Sequence, residues 1–141
     1  MSAFRVIVAG APKYRDYAAL SRALDTVLRD RLPAVSILTR GGAGLGVDAL
    51  AASYATARQL GHAAYAADFA KHADAQAAHR ERLAALVRDA DAAVIVFDPN
   101  DWQTCELIDR CRRRGVPVRL LGIVRRGREV LPPERPRGLP D

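Results

Sequence analysis

Apolar runs of strand type alternate with stretches of helical spacing along the chain. Phe4–Ala9 is a short β-rich run ending at Gly10. Tyr17–Arg31 carries Leu20, Leu24, Val27 and Leu28 at helical spacing, with Asp16 placed as its N-cap and Pro33 beyond its end as a terminator. Ala34–Thr39 predicts a second strand, and Ala49–Leu60 a second helix closed by Gly61 at its C-terminus. His62–Ala67 is a weaker third strand. Phe69–Asp89 is alanine-rich, and its second half, with Leu83, Leu86 and Val87, predicts a third helix. Ala92–Phe97 is the clearest strand, broken by Asp98-Pro99-Asn100-Asp101. Thr104–Arg114 predicts a fourth helix stopped by Gly115, and Val116–Ile123 a fifth strand.

Strands alternating with helices imply parallel pairing through right-handed crossovers. Ala92–Phe97 is apolar on both faces, as a central strand covered on each side must be. The expectation is a Rossmann-like three-layer α/β/α domain, with a mainly parallel five-stranded sheet over residues 1–123. Residues 124–141, rich in arginine and proline, predict an extended or disordered tail. In such a sheet ligands bind at the carboxyl ends of the strands. The loops Gly10–Asp16, Thr39–Asp48 and Asp98–Thr104 should meet there.

The middle loop carries the strongest chemical signal. Gly41, Gly42, Gly44 and Gly46, with Ala43 among them, stand between a strand and a helix. Glycines let the main chain turn with positive φ and let a ligand approach it, and the following helix start offers unpaired N–H groups to an anion. No lysine follows, so this is not a P-loop. Gly44-Leu45-Gly46-Val47-Asp48-Ala49 fits G-x-G-x-x-A, and Asp68 lies about twenty residues on, as in a dinucleotide fingerprint. A tight turn with no ligand is the alternative. Lys13 and Arg15 are either phosphate counter-charges or ordinary surface cations. Asp48 either complements the helix dipole or accepts a ribose hydroxyl, a role also open to Asp68. Thr104 either caps its helix or meets a phosphate, and Trp102 either packs on the sheet end or covers a base.

Charge qualifies this picture without redirecting it. The net charge of +6 is unevenly placed: residues 1–109 hold 12 basic and 13 acidic side chains, residues 110–141 hold 10 arginines and 3 acids. The body is near neutral, and the basic segment is either a solvated face or a contact for nucleic acid. Cys105 and Cys111 fall on different faces of a predicted helix, too far apart for a disulfide. Three histidines and no C-x-x-C pattern leave no metal site to read. No apolar run is long enough to cross a bilayer and the N-terminus lacks a signal-peptide core, so a cytoplasmic protein with no membrane partner is expected.

Together these segments resemble the SLOG superfamily, and within it the small YspA-like Rossmann-like proteins, over about residues 4–122. The first-strand motif reads here Gly10-Ala11-Pro12-Lys13-Tyr14-Arg15-Asp16, and the glycine motif is one residue longer than in that family. His79-Arg80-Glu81-Arg82 looks like the family's Asn-Arg-Glu-Met, and only Thr104 remains of its Gly-Thr pair. The resemblance implies binding or sensing of a nucleotide or nucleotide-derived ligand and frequent homodimers, and no other cofactor is read from the residues. Two alternatives come with it. LOG-like relatives cleave the N-glycosidic bond of nucleoside monophosphates, but the position of their carboxylate is Leu107 here. Glu106 and Arg80 are left as weak catalytic candidates. DprA-type relatives bind single-stranded DNA, for which the arginine-rich C-terminus offers some footing.

Overall fold

A computed structural model of the chain describes residues 3–41, 46–72, 74–122, 124–125 and 128–129. The elements run β1 (Phe4–Gly10), α1 (Tyr17–Val27), β2 (Val35–Thr39), α2 (Gly46–Ala57), β3 (Gly61–Ala64), α3 (Ala75–Asp89), β4 (Ala92–Val96), α4 (Trp102–Arg113) and β5 (Val118–Leu121). The first five strands form one sheet in the order β3-β2-β1-β4-β5. Every pairing in it is parallel, with Val6 opposite both Ile37 and Ala92, and Ala93 opposite Val118. The Rossmann-like expectation holds, and strand order reverses between β1 and β4. Two short antiparallel strands, β6 (Val124–Arg125) and β7 (Arg128–Glu129), pair with each other. The rest of the expected tail, 126–127 and 130–141, lies outside the described residues.

Alternation along the two central strands builds two apolar layers. Val6 and Val8 of β1 and Val94 and Val96 of β4 face α1 and α2, packing on Leu20, Leu24, Val47, Ala51 and Tyr54. Ile7, Ala9, Ala93 and Ile95 face the other way, onto Leu83, Leu86, Leu107, Ile108 and Cys111 of α3 and α4. Tyr54 also ties α2 to α1: its hydroxyl donates to Asp25 at 2.7 Å, where Arg58 binds as well.

Several element ends fall elsewhere than the sequence pattern places them. Asp16 caps α1 as expected, accepting from Ala19 N at 3.0 Å, but the helix stops at Val27 rather than Arg31. Leu28 stays buried while the next residues tighten into turns ahead of Pro33, which disfavours helix before it. Helix α2 begins at Gly46, three residues early, and ends without Gly61. Gln59 takes the left-handed position (φ 57°), and Leu60 N donates to Ala55 O at 2.8 Å in a Schellman closure. Gly61 instead opens β3, where a Cβ would approach Ser36 Oγ to 3.0 Å. Helix α4 begins at Trp102, so Thr104 lies inside the first turn and not at the cap.

Gly10 sits where the strand order reverses. Its φ is +146°, and a Cβ there would lie 2.2 Å from the Val96 carbonyl oxygen. The two strand ends therefore approach as only glycine allows. Gly10→Ala combines backbone strain with overpacking against main chain that cannot yield, and is expected to cost at least about 2 kcal/mol in urea unfolding.

Candidate functional site

The carboxyl ends of β1, β2 and β4 are held together by one side chain, Arg40, the residue that follows β2. Its side chain is nearly inaccessible, with a tenth of its surface exposed. Nη2 donates to Gly10 O at 2.8 Å and to Asp48 Oδ1 at 2.8 Å, and Nε contacts Asp48 Oδ2 at 3.1 Å. The main-chain Arg40 N also donates to Asp48 Oδ2 at 2.8 Å. Nη1 faces Gln103 Oε1 at 3.4 Å and Asp101 Oδ2 at 3.7 Å. Burial works against the charge of Arg40, but the bonds and field of Asp48 outweigh it and raise its pKa above the ordinary value. The three loops expected to meet do so around this group.

Next to it lies Arg82, from the second turn of α3. Nη1 donates to Arg40 O at 3.0 Å; Nη2 donates to Gln103 Oε1 at 2.8 Å and to His79 Nδ1 at 2.7 Å. Two guanidiniums thus converge on one neutral amide oxygen. Arg82 has no carboxylate partner among the described residues, and its Nε is buried with no hydrogen-bond acceptor. Burial first, and the charge of Arg40 second, lower its pKa. His79 is pushed below its ordinary pKa by burial, then by Arg82 and Arg40. Because Arg82 can only donate, His79 Nδ1 accepts, and the neutral ring carries its proton on Nε2.

The residues singled out in the sequence divide around this centre. Gly42, Ala43 and Gly44 lie outside the described residues, and with them the stretch of loop expected to face a ligand. Gly46 is buried at the start of α2 with φ +77°, and a Cβ would come within 2.8 Å of Pro12 main-chain atoms. It lets the first loop lie against the helix start, where Val47 N donates to Ala11 O at 3.4 Å. Gly41, also at positive φ (+69°), leads into the loop. Lys13 and Arg15 are exposed on the first loop. Asp48 points inward, but its oxygens are engaged by Arg40 rather than open to a ribose. Asp68 is exposed and caps Lys71 N at 3.2 Å. Thr104 is fully buried, its hydroxyl given to Asp101 Oδ2, so it closes no site from the third loop.

The weak catalytic pair is also accounted for. Arg80 Nε lies 3.3 Å from Glu106 Oε1, and Arg110 Nε 2.9 Å from Glu106 Oε2. Burial would raise the pKa of Glu106, but these two arginines prevail and hold it below the ordinary carboxylate range. Leu107 is fully buried in the apolar layer. A groove of about 580 Å³ lies elsewhere, on the outer seam of α3 and α4, lined by Ala84, Ala85, Arg88, Arg110, Arg113 and Arg114.

Sequence reasoning missed Arg40, Arg82 and Gln103. The legible signal for the first was its position: Arg40 and Asp48 bracket the glycine stretch at its two ends. Arg82 was legible only as the last residue of the His79-Arg80-Glu81-Arg82 motif, because apart from His79 its partners come from the residue after β2 and from α4. Among the described residues no cluster of three metal-ligating side chains occurs, and no helix is long and apolar enough to cross a membrane.

Residues 4–72 match the YspA, cpYpsA-related SLOG family. The fold is similar to that of the molybdenum cofactor binding protein from the phototrophic bacterium Rippkaea orientalis. That similarity has a TM-score of 0.64 and 18% identity, over 86% of this chain and 77% of that one. No curated protein sequence matches the chain.

Two outcomes are expected at this centre. Asp48→Ala leaves a buried guanidinium without its counter-charge and should lower stability by about 3–5 kcal/mol in chemical denaturation. Neutral His79 is favoured in the fold, so its contribution is intact above the unfolded pKa near 6.5 and is lost as pH falls through the lower folded value. Unfolding free energy measured from about pH 7 downward should therefore fall more steeply in the native chain than in His79→Gln.

Proposed function

We propose that the chain, whose residues 4–72 match the YspA, cpYpsA-related SLOG family, binds or senses a small phosphorylated ligand, a nucleotide or nucleotide derivative. The ligand would lie at the carboxyl ends of β1, β2 and β4. One observation carries this reading. Arg82 brings a half-buried positive charge to the start of the glycine stretch; among the described residues it bonds no carboxylate, feels Asp48 only through its field, and has no acceptor for its Nε. A buried donor left unpaired is costly, and a cation in a cleft beside a second guanidinium is relieved by an anion. The stretch 41–46 would supply main-chain N–H groups to the phosphoryl oxygens, with Lys13 or Arg15 adding charge from the first loop. The ligand binding named for the Rippkaea orientalis protein agrees with a small-molecule site on this fold.

Binding is favoured over N-glycosidic cleavage by the carboxylates. Cleavage passes through a cationic sugar that a positioned carboxylate must face. Glu106 is instead held between Arg80 and Arg110, and Leu107 is in the core.

A thermal-shift panel of AMP, GMP, CMP, UMP, ribose 5-phosphate and inorganic phosphate tests the reading. A ligand at 100 times its dissociation constant should add about 2.7 kcal/mol of stability. Arg82→Gln should weaken that ligand roughly 10- to 100-fold with the fold intact. Silence across the panel, or affinity unchanged in Arg82→Gln, counts against a phosphate at this site.

A further inference from the structure

Phe69 and Trp102 are the large hydrophobic side chains exposed among the described residues, at 55% and 36%. They come from different connections, Phe69 from the loop after β3 and Trp102 from the first residue of α4. Both meet the same residue. The Phe69 ring lies edge-on to His79 with centroids 5.2 Å apart, and Trp102 lies edge-on to His79 at 6.0 Å. Arg80 stands over the Trp102 ring at 5.6 Å. Exposed aromatic area is unfavourable in water, and these rings pack on each other without being covered.

The position of this rim is what gives it meaning. His79 accepts a hydrogen bond from Arg82 Nη2, while Arg82 Nη1 donates to Arg40 O, the last carbonyl before the glycine stretch. The aromatic rim and the mouth of the loop are thus joined through one guanidinium. A molecule with its anionic end at Arg82 has its other end beside His79, which Arg82 bonds, and so beside Phe69 and Trp102. The neutral His79 ring also keeps a proton on Nε2 that no described group takes up, a donor beside an aromatic surface.

We propose that the Phe69–His79–Trp102 rim is the stacking site for the planar heterocycle of a nucleotide, and so the part of the cleft that selects for a base rather than for phosphate alone. This rests on the phosphate reading above. Aromatic faces accept any base by stacking, and His79 Nε2–H can reward a ring acceptor nitrogen. A second copy of the chain is the competing occupant of such a surface.

Trp102 is the only tryptophan, so its emission reports the rim alone. The full chain is titrated with AMP, GMP, CMP and UMP, and with ribose 5-phosphate, following emission and binding heat together. At least one nucleotide should quench Trp102 and bind roughly 10- to 100-fold more tightly than ribose 5-phosphate. Phe69→Ala and Trp102→Leu, both at exposed positions, should erase that advantage and leave ribose 5-phosphate affinity as it was. Nucleotides and ribose 5-phosphate binding equally, with Trp102 unquenched, overturn the stacking site and leave the phosphate reading standing. An advantage that survives both variants also overturns it. No binding by any of these compounds overturns both. Trp102 emission that shifts on dilution without ligand assigns the rim to a second copy of the chain and overturns the stacking site.

Discussion

A guanidinium removed from water must be given acceptors, and the arrangement around Arg40 follows from that requirement. Asp48 supplies both oxygens, Gly10 a main-chain carbonyl, and α4 the Gln103 amide oxygen with Asp101 nearby. Three connections that are far apart in the chain are thereby held around one cation. Arg40 and Asp48 are eight residues apart, and their side-chain and main-chain bonds draw together the two ends of the glycine stretch. Buried ion pairs contribute little net stability over apolar packing. Here the pair's clearest consequence is geometric, since it fixes where β2 ends and where α2 begins.

The glycines on either side serve the same geometry. Gly10 lets β1 press against Val96 at the reversal of strand order, and Gly46 lets the first loop lie on the start of α2. Neither needs a ligand to explain it. What these contacts leave over is Arg82, a charge brought in from α3 with neutral and main-chain partners only among the described residues. The polar centre thus has a satisfied half, Arg40 with Asp48, and an unsatisfied half, Arg82. The proposed anion site lies at the second of these.

The charge excess of the chain does not coincide with this centre. In α4, Arg110 pairs with Glu106 and Arg113 with Asp109, and on α3 Arg88 pairs with Asp89. Arginines in the last turn of α4 also meet the negative end of its dipole. Much of the basic character of that face is therefore answered locally, and Glu81 lines the groove on it beside the paired Arg88, Arg110 and Arg113.

The sequence by itself determined the layered architecture. The doubly apolar run Ala92–Phe97 must be covered from both sides, and parallel strands joined by helices almost always connect right-handed. Asp16 as a cap was legible because capping is local, one side chain meeting an N–H three residues on. Of the glycine stretch, Gly41 and Gly46 take the positive φ that glycine allows, and 42–45 lie outside the described residues. Tertiary structure decided the rest. Whether Asp48 faced a ligand or Arg40, whether Thr104 opened to a cleft or was buried on Asp101, and whether Trp102 packed away or stood at a rim all depended on groups from other elements. Helix ends shifted likewise when Gln59 took the left-handed turn and released Gly61 to pair beside β2. Periodicity reports which face of an element is buried; it carries no information on which distant donor finds which acceptor, and that matching made the site.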